Sequence, residues 1–145
     1  LRTMNISLDT VDPEIYKIVR KGGTLKTVLN YIEACALYKA DRTKRGLSDF
    51  NLSINTTIHT HNMYDLPNFI NYVDNLDGAI PLIQMLYGPE NLSCLQLAES
   101  ERMKLLSFYF KNISKSLLVY CKRVITPLVN SIESELNKKK LKFIL

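Results

Sequence analysis

The chain has 145 residues, of which 46% are hydrophobic and 23% charged, and its formal net charge is +5. This length suits one domain, and the apolar content excludes intrinsic disorder for most of the chain. Apolar runs are only a few residues long, whereas a membrane-spanning helix needs about 18 or more. We therefore predict a single domain over residues 1–145, excised from a longer chain because it begins at Leu1.

Two helices are predicted early in the chain. Asp12-Pro13-Glu14 is a typical helix start, because Asp caps the first turn and Pro takes the first helical position. Gly22-Gly23 ends this helix, and Thr24 begins a second one that fades near Lys39 to Arg42. Helical periodicity is then lost from Thr43 to Met63. A short helix from Asp49 is one alternative within this stretch, and we predict an ordered loop from Ile54 to His61.

Two further helices are predicted in the middle of the chain. Asp65-Leu66-Pro67 repeats the pattern of cap and proline, and Asp77-Gly78 ends the helix that it starts. Ala79 to Tyr87 is nearly apolar all round, which predicts a buried central helix.

A long helix is predicted at the C-terminal end, where apolar residues recur every three or four positions. They are Leu106, Tyr109, Ile113, Leu117, Tyr120, Val124, Leu128, Ile132 and Leu136. Pro127 is expected to kink this helix, because proline removes a backbone donor and clashes with the preceding turn. We therefore predict an all-α domain of five to seven helices, arranged as a bundle or a short stack.

Residues Leu76–Leu86 (LDGAIPLIQML) and Leu105–Ser114 (LLSFYFKNIS) resemble the third, closing helix of an armadillo repeat. Ile80-Pro81-Leu82-Ile83 recurs as Thr126-Pro127-Leu128-Val129, at a separation near the repeat length of about 40 to 47 residues. The resemblance to armadillo/HEAT-type repeats spans about Leu76–Ser114. It implies a curved stack of helices whose groove binds an extended peptide.

The three cysteines, Cys35, Cys94 and Cys121, lie far apart in apolar stretches. Their spacing fits neither a zinc site nor a disulfide framework, so we interpret them as core residues. Unpaired cysteines favour a reducing compartment, which predicts an intracellular protein, cytoplasmic or nuclear.

Five Asn-x-Ser/Thr sequons favour the opposite interpretation. They begin at Asn5, Asn51, Asn55, Asn91 and Asn112, where chance would give about one or two. A secreted, glycosylated helical signalling protein is therefore an open alternative. The other explanation is that an asparagine-rich sequence forms sequons by accident.

Charge is segregated along the chain, since acidic residues but no lysine or arginine lie between Arg45 and Arg102. We predict that this acidic side and the polar loop bind another protein. The candidate partner-binding residues are Asp65, Asp74, Asp77, Glu90, Asn51, Asn55, His59 and His61. In an extended loop His59 and His61 would share one side, but no neighbouring set of ligands completes a metal site.

Basic residues dominate after Arg102 and lie at positions outside the apolar stripe. Lys104, Lys111, Lys115, Lys122 and Arg123 are candidate anion-binding residues, which leaves nucleic-acid binding as a second alternative. The basic tail from Lys138 can also touch an anionic membrane surface, although it more simply complements a helix dipole.

No phosphate-binding loop, nucleophile with its base, or tuned pair of carboxylates is recognisable in the sequence. We therefore predict no catalytic residue, no cofactor and no metal. The function predicted by elimination is a non-catalytic protein-interaction module, an adaptor or scaffold within a larger assembly.

Overall fold

The computed structural model describes residues 2–47 and 50–144, the last two without their side chains. Over those ranges the protein is a mixed α/β structure. The strands are β1 (Thr3–Ser7), β2 (Asn51–Ile58) and β3 (Ala79–Met85). The helices are α1 (Pro13–Val19), α2 (Leu25–Lys44), α3 (Leu66–Asp74), α4 (Glu99–Asn112), α5 (Lys122–Asn130) and α6 (Glu135–Ile144).

The three strands form one parallel sheet in the order β1-β2-β3. β1 pairs with β2 in register from Thr3 opposite Asn51 to Ser7 opposite Asn55. Parallel neighbours need a long crossover connection, which α1 and α2 supply between β1 and β2 and α3 supplies between β2 and β3. The prediction of an all-α domain is therefore wrong.

β2 lies in the stretch from Thr43 to Met63 and overlaps the loop predicted from Ile54 to His61, so that prediction is wrong for Ile54–Ile58. Leu52 and Ile54 are completely buried in this strand. Its β-branched residues fit a pleated, buried surface better than a loop. Asp49, which belongs to the acidic stretch of the sequence, lies outside the described residues.

β3 occupies the stretch predicted to be a buried helix from Ala79 to Tyr87, the same stretch in which the armadillo resemblance implies a helix. Its side chains alternate, with Ile80 and Leu82 exposed and Ile83 and Met85 buried. Period two is the signature of a strand, but a short apolar run does not distinguish a strand from a buried helix by periodicity alone.

One compact unit comprises residues 1–56 and 68–82. Its buried apolar side chains include Ile32 of α2, Leu52 of β2 and Phe69 of α3. The predicted start of α1 is confirmed, since Asp12 Oδ1 accepts hydrogen bonds from the backbone N–H of Glu14 at 2.8 Å and of Ile15 at 2.9 Å.

The second compact unit comprises residues 57–67 and 83–145. The single long helix predicted from Leu106 to Leu136 is wrong, because α4, α5 and α6 are separate helices with breaks after Asn112 and Asn130. Pro127 lies inside α5 and marks neither break. The apolar stripe is nevertheless buried, except Tyr120, which is 40% exposed, and Leu136, which is 63% exposed.

Within this unit, Arg102 joins α4 to the segments on both sides of it. Its guanidinium donates hydrogen bonds to the carbonyl oxygens of Leu95 at 2.7 Å, Leu97 at 2.9 Å and Ser131 at 3.0 Å. No helix within residues 2–47 and 50–144 combines the length and the apolar character that crossing a membrane requires.

Replacing Ile54 with alanine tests the position of β2. Ile54 is completely buried, so Ile54→Ala is expected to lower the free energy of unfolding by about 2–5 kcal/mol. Ile80 is 41% exposed, so Ile80→Ala should cost less than about 1 kcal/mol. Urea denaturation followed by circular dichroism measures both, and equal losses would contradict a central strand at residue 54.

Candidate functional site

The polar sheet face is the candidate site of the first unit. Residues opposite each other in a parallel pair point to the same side of the sheet, and alternate residues of a strand share a face. One face of the β1–β2 pair therefore carries small polar side chains only. They are Thr3, Asn5, Ser7, Asn51, Ser53 and Asn55, and we call these six residues the polar sheet face.

The opposite face of the same two strands is apolar. It carries Met4 and Ile6 of β1 beside Leu52 and Ile54 of β2. Parallel strands are usually apolar on both faces, because helices cover both. A polar face is therefore a departure from ordinary parallel-sheet packing, and four of its six residues, Thr3, Asn5, Ser7 and Asn51, are exposed.

Ser7 and Asn55 stand together at the carboxyl end of the polar sheet face. In open parallel α/β sheets, ligands bind outside the carboxyl ends of the strands. The side-chain oxygen of Asn55 is buried and has no hydrogen-bond partner among the described residues. A buried acceptor without a donor costs about 1–3 kcal/mol, so Asn55 Oδ1 is suited to accept a hydrogen bond from a ligand.

The loop that follows β1 is fixed to β2 by hydrogen bonds. The backbone N–H of Leu8 donates to the carbonyl oxygen of Asn55 at 2.8 Å, and Thr56 Oγ1 donates to that of Asp9 at 3.2 Å. The carboxylate of Asp9 pairs with Arg20 Nε at 2.6 Å. These bonds hold the carboxyl end of the strand pair in one geometry.

The eight predicted partner-binding residues are divided between the two units. Asn51, Asn55, Asp74 and Asp77 belong to the first unit, and His59, His61, Asp65 and Glu90 belong to the second. Asn51 and Asn55 share the polar sheet face. Asp74 is the last residue of α3 and Asp77 lies three residues further on, and both are exposed. Their role in binding a partner stays a prediction.

His59 and His61 directly follow β2, and their ring centroids are 5.7 Å apart. The backbone N–H of His61 donates to His59 Nδ1 at 3.2 Å, and Asp65 is buried near them in sequence. Over the described parts of the chain, no group of three or more His, Cys, Asp or Glu residues is arranged to hold a metal ion.

All three cysteines are buried and unpaired, as the apolar context of each predicted. Burial raises the pKa of the Cys94 thiol to about 11 and that of the Cys121 thiol to about 12. Because the thiolate is the nucleophile and the metal ligand, these two protonated thiols are inert at neutral pH.

Two of the five predicted anion-binding residues meet in one groove of the second unit. Lys104 and Lys111 of α4 and Lys140 of α6 line a cavity of about 500 Å³, which we call the α4–α6 groove. Lys115 and Lys122 do not line it, and Arg123 lines a different depression.

Sequence reasoning missed most of the polar sheet face, namely Thr3, Asn5, Ser7 and Ser53. The signal was present as period-two alternation, because polar and apolar residues alternate from Thr3 to Leu8 and from Asn51 to Asn55. Three sequons lie in these strands, and Asn-x-Ser places two polar side chains on one strand face.

Two known enzymes share partial similarity with the chain. It is 27% identical over 92 residues to a probable GTP 3',8-cyclase of Methanocaldococcus jannaschii, covering 63% of this chain and 28% of that protein. It is 30% identical over 86 residues to the GTP 3',8-cyclase of Limosilactobacillus fermentum, covering 59% of this chain and 24% of that protein. The chain thus spans about a quarter of the length of these curated relatives.

No family model and no solved structure matches the chain. The partial similarity to two enzymes overturns the prediction of a non-catalytic adaptor or scaffold. The same similarity gives no support to the two alternatives, a secreted signalling protein and a nucleic-acid-binding protein.

The raised pKa values of two thiols predict slow alkylation of the folded protein. At pH 8, Cys94 should react with iodoacetamide about a hundredfold more slowly in the folded chain than in urea, since a pKa of about 11 instead of 9 reduces the thiolate fraction by that factor. Cys121 should be slower still. Mass spectrometry of the labelled peptides measures both rates, and equal labelling with and without urea would show open thiols.

The same shifts predict loss of stability in base. A raised folded-state pKa means that the folded thiol keeps its proton where the unfolded thiol has lost it, so this stability is complete below about pH 9 and falls as pH rises toward 11–12. Cys121→Ala should flatten part of that decline in urea titrations between pH 8 and 10. A decline that is unchanged in this variant would contradict the assignment.

Proposed function

We propose that this chain is part of an enzyme that acts on a guanine nucleotide, and that the carboxyl end of the polar sheet face, at Ser7 and Asn55, binds the substrate. The observation that carries the proposal is the buried, unpartnered oxygen of Asn55 at the carboxyl end of a parallel strand pair. The partial similarity to two GTP 3',8-cyclases supports the choice of nucleotide.

The chemistry of the polar sheet face suits a guanine nucleotide. Guanine presents an N2 amino donor and an O6 acceptor, and a side-chain amide has both an acceptor and donors. Asn55 Oδ1 therefore accepts a hydrogen bond from the base in the proposed complex. The hydroxyl of Ser7, its register partner, is exposed and is suited to bind a ribose hydroxyl or a phosphate oxygen.

The proposed role of this face is orientation of the substrate. Its threonine, asparagine and serine side chains do not titrate near neutral pH, so they do not exchange protons with the substrate. Fixed geometry at the carboxyl end, held by the bonds of Leu8, Thr56 and Asp9, is what a substrate-positioning surface requires.

A pair of asparagine variants tests the proposal by isothermal titration with GTP. Asn55→Ala removes the acceptor at the carboxyl end and is expected to weaken GTP binding about tenfold, which corresponds to about 1.4 kcal/mol. Asn51→Ala is the matched control, because Asn51 lies on the same face and strand but at the amino end. Its affinity for GTP should stay within about twofold of the wild type.

ATP supplies the second control, because adenine lacks the N2 amino donor of guanine. Asn55→Ala should therefore reduce the preference for GTP over ATP. Absence of GTP binding by the wild-type chain, or equal losses in the two asparagine variants with unchanged circular dichroism, would overturn the proposal.

A further inference from the structure

The α4–α6 groove gathers positive charge from two helices. Lys104 and Lys111 are seven residues apart, so they lie on one side of α4, two turns and about 10 Å apart. Lys140 lines the same groove from α6, and no acidic side chain is among its lining residues. None of the three lysines is in an ion pair with another described residue.

The wall that α6 contributes is held in place by Glu99 at the start of α4. One carboxylate oxygen of Glu99 accepts from the backbone N–H of Glu133 at 2.7 Å and of Ser134 at 3.2 Å. The other accepts from Asn137 Nδ2 at 2.6 Å. These bonds, chiefly that of Asn137, lower the pKa of Glu99, so the carboxylate stays ionised and keeps α6 beside α4.

Three exposed ammonium groups that line one groove attract anions, and a ligand with several negative charges contacts more than one of them. The volume of about 500 Å³ lies in the range of small-molecule sites. Phe108 and Met103 add apolar surface to the same groove. A ligand with several adjacent negative charges and a compact shape fits these features best.

We propose that the α4–α6 groove binds the phosphate chain of a di- or triphosphate. Lysine ammonium groups bind phosphate oxygens as point charges, and three of them match the charge of a phosphate chain better than that of a single phosphate. This site lies in the second unit and is independent of the polar sheet face, so it stands or falls separately from the proposed function.

Tripolyphosphate is the probe for this site, because it carries the phosphate chain without a base. Binding to the full chain is measured by isothermal titration at low salt. The triple variant Lys104→Gln, Lys111→Gln, Lys140→Gln should weaken binding at least about tenfold. The matched control is Lys115→Gln, Lys122→Gln, Lys139→Gln, which removes the same charge from exposed lysines outside the groove and should change affinity less than about twofold.

Two further ligands separate a free phosphate chain from a nucleotide. Both are compared in the Asn55→Ala chain, in which the polar sheet face is weakened. If the groove binds a nucleotide, GTP binds this chain more tightly than tripolyphosphate and loses that advantage when the groove lysines are also replaced, whereas guanosine alone binds weakly. If the source is a free phosphate chain, tripolyphosphate and GTP bind equally at the groove. Asn55→Ala leaves tripolyphosphate binding unchanged in either case, which separates this test from that of the polar sheet face.

Three results would overturn the proposal. They are no binding of tripolyphosphate by the wild-type chain, equal weakening in the groove and control variants, and tighter binding of a DNA duplex than of tripolyphosphate at equal phosphate concentration. Thermal unfolding of both triple variants confirms that the lysine changes leave the chain folded.

Discussion

The parallel register of β1 and β2 is the constraint on which both the core and the polar sheet face of the first unit depend. The same pairing that aligns Ser7 with Asn55 places Leu52 and Ile54 on the opposite side. Because side chains alternate with period two, a slip by one residue would move the apolar side chains of β2 to the polar side of the pair and the polar ones to the apolar side. The hydrophobic burial of Leu52 and Ile54, which are completely inaccessible, therefore also fixes the register of the site.

An unpartnered buried atom does not by itself identify a functional residue. Asn55 Oδ1, Tyr72 OH and Arg102 Nε all lack a hydrogen-bond partner among the described residues. Arg102 donates hydrogen bonds from its two terminal guanidinium nitrogens to three backbone carbonyls, which is a structural role. Burial raises the pKa of the Tyr72 hydroxyl to about 12. Asn55 differs because it stands at the carboxyl end of a parallel strand pair among other small polar side chains.

Local signals were predictable from the sequence, and features that depend on distant contacts were not. Asp12 caps α1 as expected, because capping involves only the next three residues. β1 and β2 were missed because the Asn-x-Ser/Thr spacing was considered only as a glycosylation signal or an accident of composition, although it is also the spacing of one strand face. β3 was missed because a short apolar run does not distinguish a strand from a buried helix. The apolar stripe from Leu106 correctly predicted burial of most of its residues. The break after Asn130 was not predictable from that periodicity, because the bonds made there, such as that from Arg102 to the Ser131 carbonyl, join residues far apart in the chain.

The two proposed sites differ in the interaction on which recognition of a ligand would depend. The polar sheet face has no charged side chain, so its selectivity depends on the direction of hydrogen bonds, and ions in solution screen it little. The α4–α6 groove depends on net charge, and exposed ammonium groups are screened over about 8 Å at physiological ionic strength. Binding at the groove should therefore weaken as salt rises, whereas binding at the polar sheet face should change little.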